Sequence, residues 1–552
     1  MTRFRLHCAL TSGMAVAAMA LAAPAGAATC ADLVNLKIAP NQIGLPTSGA
    51  TISSAQMQTV PASPLTPDVK RDFCKVLGSI APVDPNAPPI NFEVNLPTQW
   101  NGKAVQYGGG GSNGTLITGL GPLRDARRDT PVPIARGFAT WGTDAGHQNE
   151  KLPEPRAFGL NDESNLNMAY GAYKKTHDAA RLVATAFYDR APAKIYYYGG
   201  SQGGREALMM AQRFPADYDG IVSVVPTANY AGEALAWIKL GALQRAGGWT
   251  NPEKVKAIAA AVNAACDKVD GLADGVVSAY EKCLNLFDPK TLRCPNGADT
   301  GNTCLSDAQI EAVKFIHSPF QYPFPLKNGV TSFPGYPYGS ELGPDGLVTG
   351  QMGPEAPQYP IASARTQSEM WANSSTFVSY FFARDPKFDP LQFSPEKFTA
   401  RIREISDMYD TTDPDLSPFL AHGGKLIIKS NVADYRRNGY QEITYYKSVV
   451  AKMGQQKADQ FVRLLVTPGV SHVGDGRMSD GATVPDRVDL LGALDGWVET
   501  GKSPDALVQL TQETKAPFQT VSSRPMCAYP AYPHYDGKGD VNDAASFACA
   551  KQ

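Results

Sequence analysis

The chain has 552 residues, 43% hydrophobic and 19% charged, a balance usual for a soluble globular protein and too long for one simple core, so two structural units are expected. A formal net charge of −2 and a pI near 6.4 leave no electrostatic footprint for nucleic acid or an acidic membrane surface, and both are set aside as partners.

Residues 1–27 read as an export signal. Arg3 and Arg5 open it, an apolar run covers Met14 to Ala23, and Ala25-Gly26-Ala27 supplies small residues for cleavage. The run is too short to span a bilayer, so a secreted or periplasmic protein is expected. Of the nine cysteines, Cys8 leaves with the signal, and an even number remains in an oxidising compartment. Proximity suggests Cys30 with Cys74, Cys266 with Cys283, Cys294 with Cys304 and Cys527 with Cys549, although sequence alone leaves the connectivity open. None sits in a Cys-x-x-Cys pair, which argues against a zinc or redox site.

Residues 30–80 read as polar, proline-containing connections, and Pro82 to Pro89 as a loop. Ile90 to Leu96 alternates as a strand, Asn101-Gly102 turns, and Lys103 to Tyr107 forms the next strand. Gly108 to Gly111 follow. Such a run is either a flexible turn or an oxyanion loop, in which Gly109 and Gly110 would offer backbone N–H groups beside that of Gln202. Gly137 to Thr143 is a further strand, and a helix face of Leu182, Val183, Ala186 and Phe187 ends before Pro192. Next comes Ile195-Tyr-Tyr-Tyr-Gly-Gly-Ser201-Gln-Gly-Gly204, an aromatic strand running into Gly-x-Ser-x-Gly, with a helix expected over Arg205 to Phe214. Ile221 to Val225 is a buried strand. This alternation predicts a mostly parallel α/β sheet with Ser201 as nucleophile on a sharp strand-to-helix turn.

The alternation stops at about Thr227. Helices such as Pro252 to Cys266 mix with Pro- and Tyr-rich loops until about Ser417, and strands return at Lys425 to Ser430 and Phe461 to Thr467. An insertion within one catalytic domain is therefore expected: residues 28–227 and 414–552 build the α/β-hydrolase fold, and 228–413 form a lid. Within the insert, Asp267, Asp270 and Asp274 lie close together among glycines, a spacing suited either to hard oxygen ligands for calcium or to a solvated acidic turn.

In an α/β-hydrolase the acid and the histidine follow the serine, each in a loop after a later strand. Only His317, His422, His472 and His534 lie beyond Ser201, and only His472 comes just after a hydrophobic strand. Asp434 follows the strand Lys425 to Ser430. The expected triad is Ser201, His472 and Asp434, with Asp144 as the rival acid and with His317 and His534 as packing or surface residues.

Asn91 to Gly111, Thr143 to His147, Gly199 to Asp219, Cys266 to Val276, Asp413 to Asp434 and Pro468 to Gly474 together resemble the tannase and feruloyl esterase family, which includes the mono(2-hydroxyethyl) terephthalate hydrolase. The resemblance implies an α/β-hydrolase with a large lid, catalytic Ser201, Asp434 and His472, and the four cysteine pairings given above. It also implies a structural calcium ion in the lid, held by Asp267, Asp270 and Asp274 and by the carbonyls of Leu272 and Val276, with no organic cofactor. The family's cysteines beside the catalytic serine and histidine are replaced by Gly200 and Val473, so packing alone is expected to hold His472 against Ser201.

Family members hydrolyse phenolic-acid esters or terephthalate monoesters, and their lid supplies the acyl pocket. Trp371, Phe377 and Arg437 are the candidate contacts, in or near the aromatic stretch Trp371 to Phe382. A terephthalate reader needs an inward cation, and Arg365, Arg384 and Arg437 are the candidates. The stretch itself contains none, which favours neutral or hydroxylated aromatic acyl groups of small-molecule esters. A non-catalytic binder, a peptidase and an acyltransferase remain as other classes, and the oligomeric state is left open.

Overall fold

The computed structural model describes residues 27–60, 71–339, 341–361 and 366–552. The expected signal and Arg365 lie outside them.

One ten-stranded sheet organises the chain. Its strands are β1 (Lys37–Ile38), β2 (Ala50–Val60), β3 (Arg71–Ile80), β4 (Ile90–Pro97), β5 (Lys103–Tyr107), β6 (Ala139–Thr143), β7 (Lys194–Gly200), β8 (Gly220–Val224), β9 (Lys425–Asn431) and β10 (Val462–Thr467). The spatial order is β1-β2-β3-β4-β6-β5-β7-β8-β9-β10. Pairing is antiparallel from β1 to β6 and parallel from β6 to β10. This is the α/β-hydrolase arrangement expected from the sequence.

The parallel half is buried on both faces, as parallel sheets must be. Tyr197, Ile221 and Ile428 enter one core, while Tyr196, Tyr198, Val222 and Ile427 point the other way, into a core shared with the helix Leu490–Thr500. That alternation is the pleat of a strand with helices on both sides. The helix after β7 spans Gln202–Arg213, three residues earlier than the sequence suggested, because Ser201 is its N-cap.

The reading of residues 30–80 as connections is corrected. β2 and β3 are long antiparallel strands, and much of β2 faces solvent, so it lacks the apolar alternation that marks a strand in sequence. Between β8 and β9 the chain forms mainly helices, including Tyr230–Leu243, Pro252–Cys266, Glu369–Phe377 and Thr399–Tyr409. Asn251 caps the second of these by accepting from Lys254 N–H, with Pro252 in its first turn. Cys30–Cys74, Cys266–Cys283, Cys294–Cys304 and Cys527–Cys549 are all disulfides.

Candidate active site

β7 delivers Ser201 on a strained turn, at φ 60° and ψ −122°. This strain persists because its surroundings hold it. Ser201 N–H donates to Val224 O at 2.8 Å. A Cβ on Gly199 would fall 2.2 Å from Gly203 O, and one on Gly203 would fall 2.6 Å from Gly109 O. The glycines thus let strand, helix and the 108–111 loop meet.

β9 and β10 bring the other two groups. His472 Nδ1 lies 2.6 Å from Asp434 Oδ2, and His472 Nε2 lies 2.8 Å from Ser201 Oγ. A carboxylate only accepts, so Nδ1 carries the proton and Nε2 accepts from the serine hydroxyl. Asp434 Oδ1 accepts from the backbone N–H groups of Arg436 at 3.0 Å and Arg437 at 2.8 Å. Burial alone would raise the Asp434 carboxyl, but His472 and these donors outweigh it and hold it below the ordinary carboxylate value.

Asp144 is occupied elsewhere: it accepts from Asn91 N–H and Nδ2, Gly146 N–H and Gln148 Nε2. His317 is buried, with Nδ1 2.9 Å from Tyr336 O and its ring stacked on Tyr338. His534 lies in the ribbon strand Ala531–Tyr535, edge-on to Tyr532.

The glycine loop differs from expectation. Gly109 N–H donates to Glu206 Oε2 at 3.1 Å and Gly110 N–H to Asn113 Oδ1 at 2.8 Å, so neither amide is free to meet an oxyanion. Of the four glycines, Gly111 is the one that lines the cavity beside Ser201 and Gln202. Gln202 opens its helix, where the first amides have no intrahelical acceptor.

That cavity holds about 140 Å³, and its wall includes Arg156, Tyr230, Glu233, Trp237, Glu369 and Phe377, as well as Arg437. Phe377 and Arg437 are therefore where the sequence suggested. Trp371 is not: it is buried behind the wall, its ring wedged against Gly241 and its Nε1 donating to Gln358 O at 2.8 Å. Arg384 points outward to Asp162 at 2.7 Å. Arg156 and Glu233 carry no sequence signal, because neither lies in a motif: Arg156 sits in a proline-containing connection and Glu233 in an alanine-rich helix.

Gly200 and Val473 do not face one another as a bare gap. A Cβ on Gly200 would fall 2.1 Å from Arg124 Cδ, and Val473 N–H donates to the buried Asp345 Oδ2 at 3.3 Å.

In the acidic loop, Asp267 Oδ1 accepts from Gly275 N–H, Asp270 from Leu272 and Ser278 N–H, and Asp274 Oδ1 from Val276 N–H. Asp270, Leu272, Asp274 and Val276 line one small cavity. Burial pushes Asp270 up to about 6 and raises Asp267 and Asp274, with Asp274 adding like charge to each of the other two. Arg524 Nη2 lies 3.2 Å from Asp274 Oδ2. Two of these carboxyls, Asp270 and Asp274, share that cavity with Leu272 and Val276, oxygen donors of the kind a hard divalent cation takes, while Asp267 is not in its lining.

A family model described as tannase and feruloyl esterase matches residues 74–550. The chain belongs to the tannase and feruloyl esterase family. It is 36% identical over 543 residues to an uncharacterized esterase of Agrobacterium fabrum, covering 96% of this chain and 95% of that one. It is 31% identical to the mono(2-hydroxyethyl) terephthalate hydrolase of Piscinibacter sakaiensis, covering 87% and 85%. The fold matches that of feruloyl esterase B from Aspergillus oryzae at a TM-score of 0.73 and 22% identity, over 94% of this chain and 100% of the other. The protein is accordingly a carboxylic ester hydrolase of this family. Among the described residues no helix is long and apolar enough to cross a membrane.

Proposed function

We propose that the protein is an exported serine esterase that hydrolyses esters of phenolic acids, such as feruloyl, caffeoyl or galloyl esters. The observation that carries this reading is the hydrogen-bonded line from Asp434 through His472 to Ser201, opening on a cavity with Phe377, Tyr230 and Trp237 in its wall. Ser201 Oγ attacks the ester carbonyl as His472 Nε2 takes its proton, and the negative oxygen is met by the amides of Gln202 and Gly111. His472 returns the proton to the departing alcohol. Water, deprotonated by the same nitrogen, then releases the acid from the acyl-enzyme, while Asp434 steadies the imidazolium.

The terephthalate monoester reading gains from the inward Arg437 and from Arg156. It is the weaker of the two because Glu369 shares the same wall and would repel a second carboxylate, as would Glu233 once it is ionised above about pH 8. Hydrolysis of methyl ferulate, methyl caffeate, methyl gallate and the terephthalate monoester by wild type and Ser201→Ala tests the proposal. Activity on a phenolic ester should fall by about 10⁶-fold in the variant. A folded wild type inert on every aromatic ester would rule the reading out.

Calcium belongs to the same proposal as a structural ion. Asp267, Asp270 and Asp274 with the carbonyls of Leu272 and Val276 would hold it, and it would neutralise carboxyls that otherwise repel. Chelation should lower the melting temperature, and added calcium should restore it. The gain should be larger above about pH 6, where Asp270 has lost its proton. A melting curve unmoved by chelator or calcium would remove the ion from the account.

A further inference from the structure

Four charged side chains stand in the wall of the Ser201 cavity and take no part in acyl transfer: Arg156, Glu233, Glu369 and Arg437. Two are already committed. Glu369 is held by Arg436 at 3.0 Å, and Arg156 spends both terminal nitrogens on Asn373 and Thr376.

The other two are only loosely joined. Arg437 Nη1 and Glu233 Oε2 approach no closer than 3.5 Å, and the buried Arg437 Nε has no partner among the described residues. The guanidinium lies over the Trp237 ring instead, 5.5 Å from its centroid. Glu233 is 2% exposed. Its Oε1 receives Gln441 Nε2 at 2.6 Å, which leaves Oε2 with the long contact alone. A buried pair of this kind is costly unless further hydrogen bonds complete it.

A ring hydroxyl would complete it. Its O–H donates to Glu233 Oε2 while its lone pair accepts from Arg437. A methyl ether can only accept, and once Glu233 is ionised, above about pH 8, a carboxylate would meet it and Glu369 with like charge.

We infer that Glu233 and Arg437 are specificity-determining residues that read a free hydroxyl on the acyl ring, so that hydroxylated aromatic acyl groups are selected over their O-methylated counterparts. The inference rests on the aromatic-ester reading above. Burial supports it: the Glu233 carboxyl is pushed up to about 8, with Arg437 and Gln441 opposing and Asp434 and Asp410 adding like charge. That brings its basicity toward that of a phenol, near 10, and strengthens the hydrogen bond between them.

The test compares kcat/KM for methyl 4-hydroxycinnamate, methyl 4-methoxycinnamate, unsubstituted methyl cinnamate and the terephthalate monoester, at about pH 8.5 so that Glu233 is ionised. Wild type should prefer the hydroxy ester over the methoxy ester by about 10²-fold or more, because the ether leaves the Glu233 acceptor unpaired. Glu233→Gln and Arg437→Met should each reduce that ratio to within about tenfold. Methyl cinnamate, which has no ring substituent, reports the acyl-transfer chemistry separately.

Three results would overturn the inference while leaving the esterase intact. One is hydrolysis of methyl cinnamate with equal rates on the hydroxy and methoxy esters; another is a hydroxyl preference that survives in both variants. The third is a preference for the carboxylated ring. A wild type inactive on every one of these esters would remove the aromatic-ester reading, and this inference with it. The wild-type ratio decides the matter even if a variant fails to fold.

Discussion

Two buried ion pairs flank the line from Asp434 through His472 to Ser201, and they are built differently. Beneath the loops that carry Ser201 and His472, Lys429 on β9 donates to Asp125, both enclosed, with Arg124 and Arg487 close by. In the cavity wall, Glu233 has one guanidinium at 3.5 Å. Burial would raise either carboxyl. At Asp125 the clustered cations overcome it and hold the group below its ordinary value, whereas at Glu233 burial prevails and carries the group up to about 8. Similar burial gives opposite outcomes, decided by how many cations stand close. The tight cluster serves as scaffold: a Cβ on Gly474, two residues after His472, would lie 2.8 Å from Asp125 Oδ1, and one on Gly200, next to Ser201, would meet Arg124. The loose pair faces the cavity beside Ser201.

The strongest way to break this contrast is Lys429→Met. It leaves Asp125 buried with its nearest cation gone, and removing one partner of such a pair costs about 3–5 kcal/mol. Urea unfolding should report a loss of that size, with kcat falling as well because the cluster touches the loops of both Ser201 and His472. Adding Asp125→Leu should recover much of the stability, since an apolar pair can replace a buried ionic one. A single variant as stable as wild type would show that the cluster is not scaffold.

Glu233→Gln probes the other pair and should act in the opposite direction. Glu233 keeps its proton in the folded protein up to about pH 8, while the unfolded chain releases it near its ordinary 4.5. Its contribution to stability is therefore fully present below about 4.5, is lost as pH rises toward 8, and is flat beyond. The difference between wild type and Glu233→Gln should shift by a few kcal/mol across that window, at about 1.4 kcal/mol per unit. Asp434 and Asp410 face the same carboxyl, and taking the difference cancels their own titration to first order. A difference constant from pH 4 to 9 would mean that Arg437 holds Glu233 as firmly as Lys429 holds Asp125.

The contrast also explains what the sequence could and could not disclose. Ser201, His472 and Asp434 were legible because each follows a strand whose local pattern announces it, and chain order in the fold supplies the rest. The strand boundaries of the parallel half fell within a residue or two for the same reason. β2 was not legible, because a largely solvated antiparallel strand loses its apolar alternation, and β3, though buried on one face, was passed over with it. The cavity was legible only in part. Arg156, Glu233 and Arg437 come from three distant stretches, and nothing in any one of them says that they share a wall. The glycine loop was legible only as a run: whether Gly109 or Gly111 has a free amide depends on Glu206, nearly a hundred residues away.

Asp486 gives the smallest and finest test. It belongs to the tight cluster, near Lys429, Arg487 and Arg128, yet it is raised to about 6, by burial first and by the like charge of Asp125. One cluster thus holds one carboxyl down and another up, which requires that Asp125 has first claim on Lys429. Asp486→Asn should then stabilise the protein at neutral pH by about 1–2 kcal/mol, because the folded state no longer has to hold a buried carboxylate that the unfolded chain ionises freely, less the attraction it forfeits. In the Lys429→Met background Asp486 has lost a cation and Asp125 repels it less screened, so the same substitution should help more. A double-mutant cycle reads the difference, and a coupling of about 1 kcal/mol or more is expected. If the two substitutions add within about 0.5 kcal/mol, Lys429 serves Asp125 alone, and the cluster is a simple pair with a bystander.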